Sequence, residues 1–250
     1  MKEDMTNVIG IIVAMDSELE LLMKSMTVLS VEHKKLSDND IIDFHIGQLG
    51  DAVIVVTKSG IGKVNAAICT TMMCLNYHPS YVISTGVCGS LEMSGDISQN
   101  DIVLGETVRY HDVWCGNPNK LGQVQGMPEE YESEFPLQEI YDELSKTMMV
   151  HLGNILSGDW FVDDVLKARD IVKSMYRDHI MNSGEGLDME SGSIAQTCYR
   201  FGVPFLSARI VSDCPLQRDD SVKQYDDFWE TVPQNLFNVI EKIVPLLPKN

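Results

Sequence analysis

Residues 7–14, NVIGIIVA, form an unbroken apolar run rich in β-branched side chains. No polar residue alternates within it after Asn7, so the run predicts a strand covered on both faces rather than a half-exposed one. Such a strand needs helices above and below it. The sequence supplies them in alternation. Asp16 and Ser17 are helix-cap types, and Leu19, Leu21, Leu22 and Met26 then recur near helical spacing. Residues 41–48 and 51–57 read as two strands joined by a turn at Leu49 and Gly50. KSGIGKVNAAICTTMMCLNY follows, with glycines where a strand ends and an Ala- and Met-rich helical tail. Residues 81–85 predict a short strand ending in a turn, Gly86-Val87-Cys88-Gly89. Further strands are expected at 102–109, ending at 154–156 and at 204–211, with helices at 191–201 and 228–247. The pattern is that of an α/β layered domain, in which ligands bind beyond the carboxyl ends of the strands.

Residues 115–136 break the alternation. They hold four glycines or prolines before Pro128, then Pro128 and Pro136, and read as a long loop. A loop of this length either docks on something or moves freely, and the sequence leaves both open.

Composition narrows the function. The chain has 250 residues, with 37 Asp and Glu against 19 Lys and Arg, a net charge of −18. That charge repels phosphate backbones and anionic lipid, so nucleic-acid and membrane-surface roles are not expected. No apolar run reaches about 18 residues, so no membrane span is expected. The opening MKEDMTNVIGIIVAMDSELE is acidic and lacks a small-residue cleavage site, which argues against a signal peptide. Six cysteines, at 69, 74, 88, 115, 198 and 214, form no CxxC pair and no cluster with His. Neither a metal site nor a disulfide framework is expected, and reduced thiols fit a cytoplasmic protein.

Polar groups follow apolar strands at four places: Met15-Asp16-Ser17-Glu18, Gly86-Val87-Cys88-Gly89, Asp188-Met189-Glu190 and Ser212-Asp213. Singly, each has a plain structural reading. Asp16 and Ser17 suit a helix cap, Glu18 and Glu190 suit a first helical turn, and Asp213 suits a turn before Pro215. Neither GxGxxG nor GxxxxGK[ST] occurs, so the glycines do not announce a phosphate cradle.

Together the segments carry more. IGIIVAMDSELELL, TKSGIGKVNAA, VISTGVCGSL with GDISQNDIV, TVRYHDV, SGDWFVDD, LDMESGSIAQTCYRFGVPFLSARIVSD and YDDFW occur in one order over most of the chain. In these stretches the chain resembles the methylthioadenosine/S-adenosylhomocysteine nucleosidases of the nucleoside phosphorylase superfamily. The resemblance implies one domain over 1–250, a three-layer αβα fold with a central mixed β-sheet. It implies an N-glycosyl hydrolase that releases adenine from methylthioadenosine, adenosylhomocysteine or a related nucleoside, without a cofactor.

By the same resemblance, Glu18 activates water and Asp213 protonates the purine, with Ser212 orienting the Asp213 carboxyl. Glu190 and Met189 hold the ribose, and Phe161 stacks on adenine. Gly89 and Val162 offer backbone groups to the base, and Cys88 lies in the same binding segment. Met15 and Ile61 line the 5′-alkylthio site, and Arg209 lies near ribose and water. The implied assembly is a homodimer in which the long loop, through Met127 and Pro128, completes the partner's pocket. The chemistry fits these residue types: the purine must leave neutral, and water must be activated on the opposite face.

Three positions depart from the family pattern. Val87 stands where a serine is usual, Asp188 where Glu is usual, and Trp160 where a small residue precedes the stacking ring. They keep two alternatives open: a purine or uridine phosphorylase, and a nucleoside-binding paralogue of weak activity. The phosphorylase reading is the poorer one, because the positions of its phosphate-binding arginines carry the Met15–Glu18 stretch and Ser84 here. A dianion beside Glu18 would be repelled.

Overall fold

The first strand, β1 (Val8–Val13), is buried at all six positions and pairs in parallel on both edges. This computed structural model describes residues 7–92, 94–175, 186–217, 220–232 and 238–248. After β1 come α1 (Asp16–Met23), β2 (Thr27–Ser37), β3 (Asp40–Leu49), β4 (Ala52–Lys58), α2 (Lys63–Tyr77), β5 (Tyr81–Ser90) and β6 (Ile102–Tyr110). The chain continues through β7 (Tyr131–Glu132), α3 (Leu137–Leu144), β8 (Val150–Ser157), α4 (Val165–Met175) and β9 (Gly186–Asp188). It closes with α5 (Ser191–Phe201), β10 (Phe205–Asp213), α6 (Ser221–Thr231), α7 (Val239–Ile243) and a 3-10 turn at Val244–Leu246.

The side-chain alternation of β1 sorts the helices into two layers. Ile9, Ile11 and Val13 join a core with Leu22, Ile140, Phe228 and Ile240, from α1, α3, α6 and α7. Val8 and Ile12 face the other way, into a core with Met73 of α2 and Ile194 and Cys198 of α5. This is the expected α/β fold with a central mixed sheet, layered αβα.

The sheet order is β10-β6-β8-β9-β5-β1-β4-β3-β2, and β10 also pairs with β5. The extra pairing closes β5, β10, β6, β8 and β9 into a ring, while β1, β4, β3 and β2 extend from it as an open wing. Closure brings the ends of β5, β9 and β10 together, next to the start of α1.

Several local expectations change. Residues 86–89 are not a turn after a strand. β5 continues through them to Ser90, and β10 likewise includes Ser212 and Asp213, with a register shift between Val211 and Asp213. Helix α1 stops at Met23, before Met26. The unexpected strand β2 follows; its residues are mostly exposed because it is the sheet edge, so it carries no apolar face to betray it. The expected final helix is broken. Val232 adopts φ −53, ψ 124, the extended conformation that a following proline, here Pro233, imposes. Residues 233–237 of that expected helix lie outside the described residues, as do the acidic residues 1–6. The 115–136 segment contains β7, which pairs with β6. Among the described residues no helix is long and apolar enough to cross a membrane.

Candidate active site

Helix α1 begins with an uncommon cap. Neither Asp16 nor Ser17 caps it; Asp16 points outward to Lys58, 2.7 Å away. Instead Glu18, in the first turn, folds back. Its Oε2 accepts the N–H groups of Ala14 (2.8 Å) and Met15 (2.9 Å). Its Oε1 accepts the N–H of Val87 in β5 (2.9 Å). A carboxylate offers about four acceptor positions, so one position on Oε1 is left for a ligand or water. Burial pushes the Glu18 pKa up, opposed by the nearby Arg209 guanidinium and by the three N–H bonds. Gly86 makes the approach possible. It sits at φ +132, and a Cβ there would meet Glu18 Oε1 at 2.2 Å.

Asp213 reaches the same space from β10. Ser212 donates its hydroxyl to Asp213 Oδ1 (2.7 Å) and lies 3.1 Å from the Cys88 carbonyl. Burial pushes the Asp213 pKa up to about 6, against the lowering effect of the Ser212 hydroxyl. Gly89 faces this carboxyl: a Cβ would come within 3.4 Å of Oδ2.

Glu190 comes from the β9–α5 turn. Its Oε1 accepts the N–H of Gly62 (2.9 Å), which ties the SGIGK turn to the DMES segment. Gly62 has φ +94, open to glycine without strain. Burial raises the Glu190 pKa, and the neighbouring Asp188 carboxylate adds to it.

Behind these acids lies Arg209, fully buried. Its Nη2 contacts Asp188 Oδ2 (2.6 Å), Ser84 Oγ (2.6 Å) and Ser191 Oγ (3.0 Å). The guanidinium is therefore held by a charge-assisted network. It does not line the open space, although the resemblance placed it beside ribose; its contact with Asp188 keeps it in the wall.

The three acids border one cavity with about 610 Å³ of atom-free space, part of it open to solvent, and Arg209 stands behind its wall. Glu18, Asp213, Glu190, Met189, Ser212, Cys88 and Gly89 line it, as do Met15, Ile61, Phe161 and Val162. Phe161 and Ile61 are each about half exposed, at its mouth. The structure thus gathers into one site eleven residues from four separate segments and two flanking loops. Among the described residues no Lys or Arg lines it, and no group of acids, His or Cys suited to a metal occurs.

The sequence model of the phosphorylase superfamily matches residues 8–245. A 5′-methylthioadenosine/S-adenosylhomocysteine nucleosidase of Exiguobacterium is 34% identical over 96% of this chain and 98% of its own. One from Staphylococcus aureus is 34% identical over 96% of this chain and all of its own. The chain belongs to this nucleosidase family of the phosphorylase superfamily. Among solved structures, the Neisseria meningitidis nucleosidase in complex with methylthio-immucillin-A superposes with a TM-score of 0.82. It is 29% identical and covers 96% of this chain and 100% of its own. A futalosine hydrolase of Helicobacter pylori also gives 0.82, at 27% identity over 98% of this chain and 100% of its own.

Three further residue placements bear on the site. Met127 and Pro128 do not line the cavity of their own chain; Pro128 borders a separate hollow with Tyr131, Tyr199 and Phe205. Tyr225 of α6, absent from the expected site residues, does line the cavity. Its hydroxyl lies 3.3 Å from Met15 Sδ, and its ring packs edge-on against Phe161, centroids 5.6 Å apart. The YDDFW segment carried the signal, but the sequence places the final helix at 228–247, whereas α6 begins at Ser221 and includes Tyr225. Trp160, half exposed, also borders the cavity and packs edge-on to His111 at 5.8 Å. At about half exposure it stands at the mouth of the cavity.

Proposed function

We propose that this protein hydrolyses the N-glycosidic bond of 5′-methylthioadenosine, S-adenosylhomocysteine or a related adenine nucleoside, releasing free adenine. The observation that carries this reading is the convergence of Glu18 and Asp213 on one cavity from opposite ends of the chain. Their environments suit different tasks. Asp213, raised to about 6, retains near neutral pH a protonated fraction that an ordinary carboxyl lacks, and this form can give its proton to purine N7. Glu18, fixed by three backbone donors, has one acceptor position free to take a proton from water. Glu190 accepts from the ribose hydroxyls, and Met189 packs along the sugar. Phe161 stacks on adenine, while Gly89 and Val162 present backbone groups and Cys88 closes the pocket floor. Met15 and Ile61 face the 5′ end.

The buried acids also favour a developing positive charge on the sugar. Glu18, Asp188 and Glu190 surround a single guanidinium, so carboxyl groups outnumber the cation near the place where an oxocarbenium ion would form. A phosphate nucleophile would meet the same carboxylates, and among the described residues no Lys or Arg lines the cavity to bind it, which supports water as the attacking group. Val87 adds to this account. The backbone N–H at position 87 positions Glu18, so the missing serine hydroxyl does not leave that carboxylate unheld.

The partner-loop role of Met127 and Pro128 belongs to a homodimer. Support comes from an apolar stripe on α2, where Val64, Ile68 and Leu75 are exposed at helical spacing. Tyr199 and Phe201 on the adjoining α5 are exposed too. Five of the six cysteines are buried free thiols, in keeping with a cytoplasmic setting.

Side-by-side assays with methylthioadenosine, inosine and uridine test the base assignment. Adenine release is expected to exceed hypoxanthine and uracil release by at least about 10²-fold in kcat/KM, because a site built around a donor–acceptor edge rejects a mismatched one. Comparable turnover of inosine or uridine contradicts the role given to Asp213.

A further inference from the structure

We infer that the Tyr225 hydroxyl is a specificity-determining donor that selects nucleosides with a hydrogen-bond acceptor on C5′. The inference rests on the reading of the cavity as an adenine-nucleoside site and deepens it.

Stereochemistry places Tyr225. In a β-ribonucleoside the base and C5′ project from one face of the sugar, and the 2′ and 3′ hydroxyls from the other. Glu190 and Glu18 serve the hydroxyl face. Phe161 serves the base. Tyr225 packs on Phe161 and reaches Met15, so Phe161, Tyr225 and Met15 form one wall on the base-bearing face. A substituent on C5′ runs along that wall.

The phenol of Tyr225 has one proton to donate, and its hydrogen bond runs from the hydroxyl to Met15, while the Trp229 ring stands edge-on beside it, centroids 6.0 Å apart. Burial and the nearby carboxyls of Glu18 and Asp213 keep the phenol protonated. Its recorded contact on the cavity side is Met15 Sδ at 3.3 Å, and a thioether is a weak acceptor. A half-buried O–H with a poor acceptor gains most from a better one. An oxygen on C5′ is such an acceptor. A 5′-thioether only exchanges one sulfur for another, and a 5′-methyl offers nothing.

The test uses the full chain and three probes: adenosine, 5′-deoxyadenosine and 5′-methylthioadenosine. Adenosine and 5′-deoxyadenosine differ only in the 5′ oxygen. The adenosine to 5′-deoxyadenosine ratio is read twice for wild type and Tyr225→Phe, as kcat/KM for adenine release and as Kd by calorimetry. The ratio is expected to fall about tenfold in Tyr225→Phe, while the methylthioadenosine to 5′-deoxyadenosine ratio changes less than about threefold. An unchanged adenosine ratio in both readings overturns the inference. No adenine release from any probe, with the binding ratio still falling, overturns the hydrolase reading and upholds this one. Should Tyr225→Phe fail to fold, wild type still decides: no preference for adenosine over 5′-deoxyadenosine in either reading overturns the inference.

Discussion

Glu18→Gln lowers kcat for adenine release by about 10²–10⁴-fold and leaves nucleoside affinity within a few-fold of wild type. The substitution keeps the size of the side chain. The amide oxygen can still accept the N–H groups of Ala14 and Met15, which hold Oε2 at 2.8 and 2.9 Å. What disappears is the basic position on the other oxygen. An amide NH2 placed there also faces the Val87 N–H donor to donor, where Oε1 now accepts at 2.9 Å. Affinity is therefore measured alongside kcat, by calorimetry with a nucleoside and by thermal unfolding. A kcat within tenfold of wild type contradicts the assignment of Glu18 as the group that activates water.

Asp213→Asn is expected to cost about 10²–10⁴ in kcat on adenine-leaving substrates, for a different reason, and to change the shape of the pH profile. In the proposed reaction Asp213 acts in its protonated form and Glu18 in its ionised form. Its raised pKa, about 6, means that the protonated fraction falls as pH rises through that value. The profile of kcat/KM therefore has a descending limb set by Asp213 on its basic side. Glu18 acts ionised, so its loss of charge at lower pH gives the ascending limb. Its pKa is raised by burial, so the ascending limb lies above the ordinary carboxylate range. Asn cannot titrate, so the descending limb near pH 6 vanishes in Asp213→Asn while the ascending one stays. Ser212 holds the Asp213 carboxyl at 2.7 Å and offers an unchanged donor to the asparagine oxygen, so the site geometry survives. A variant that keeps the descending limb assigns that ionisation to another group.

The parts of this account legible from the sequence are those that depend on unbroken local pattern. The 7–14 run fixed a strand covered on both faces, and the layered class followed from it. The four polar segments marked the site because each sits where a buried strand meets solvent. Four things were hidden. The run of β5 through Gly86 to Ser90 was hidden because glycines suggest a turn, whereas Gly86 here stays in the strand to admit the Glu18 carboxylate. The pairing of β10 with β5 was hidden because their partner residues lie more than a hundred positions apart. Strand β2 was hidden because a sheet edge needs backbone bonds more than an apolar face. Tyr225 was hidden because the sequence places the final helix at 228–247, whereas α6 starts at Ser221 and carries this ring. The place of Arg209 in the wall follows from its bond to Asp188, a tertiary pairing that spacing alone does not reveal.

One measurement reaches the centre of the account: product analysis with purified enzyme and methylthioadenosine, in buffer free of phosphate and then with phosphate added. Free adenine and a reducing methylthioribose in equal amounts, at the same rate in both buffers, is the result expected of water attack between Glu18 and Asp213. Turnover that appears only with phosphate, yielding a sugar 1-phosphate, contradicts it.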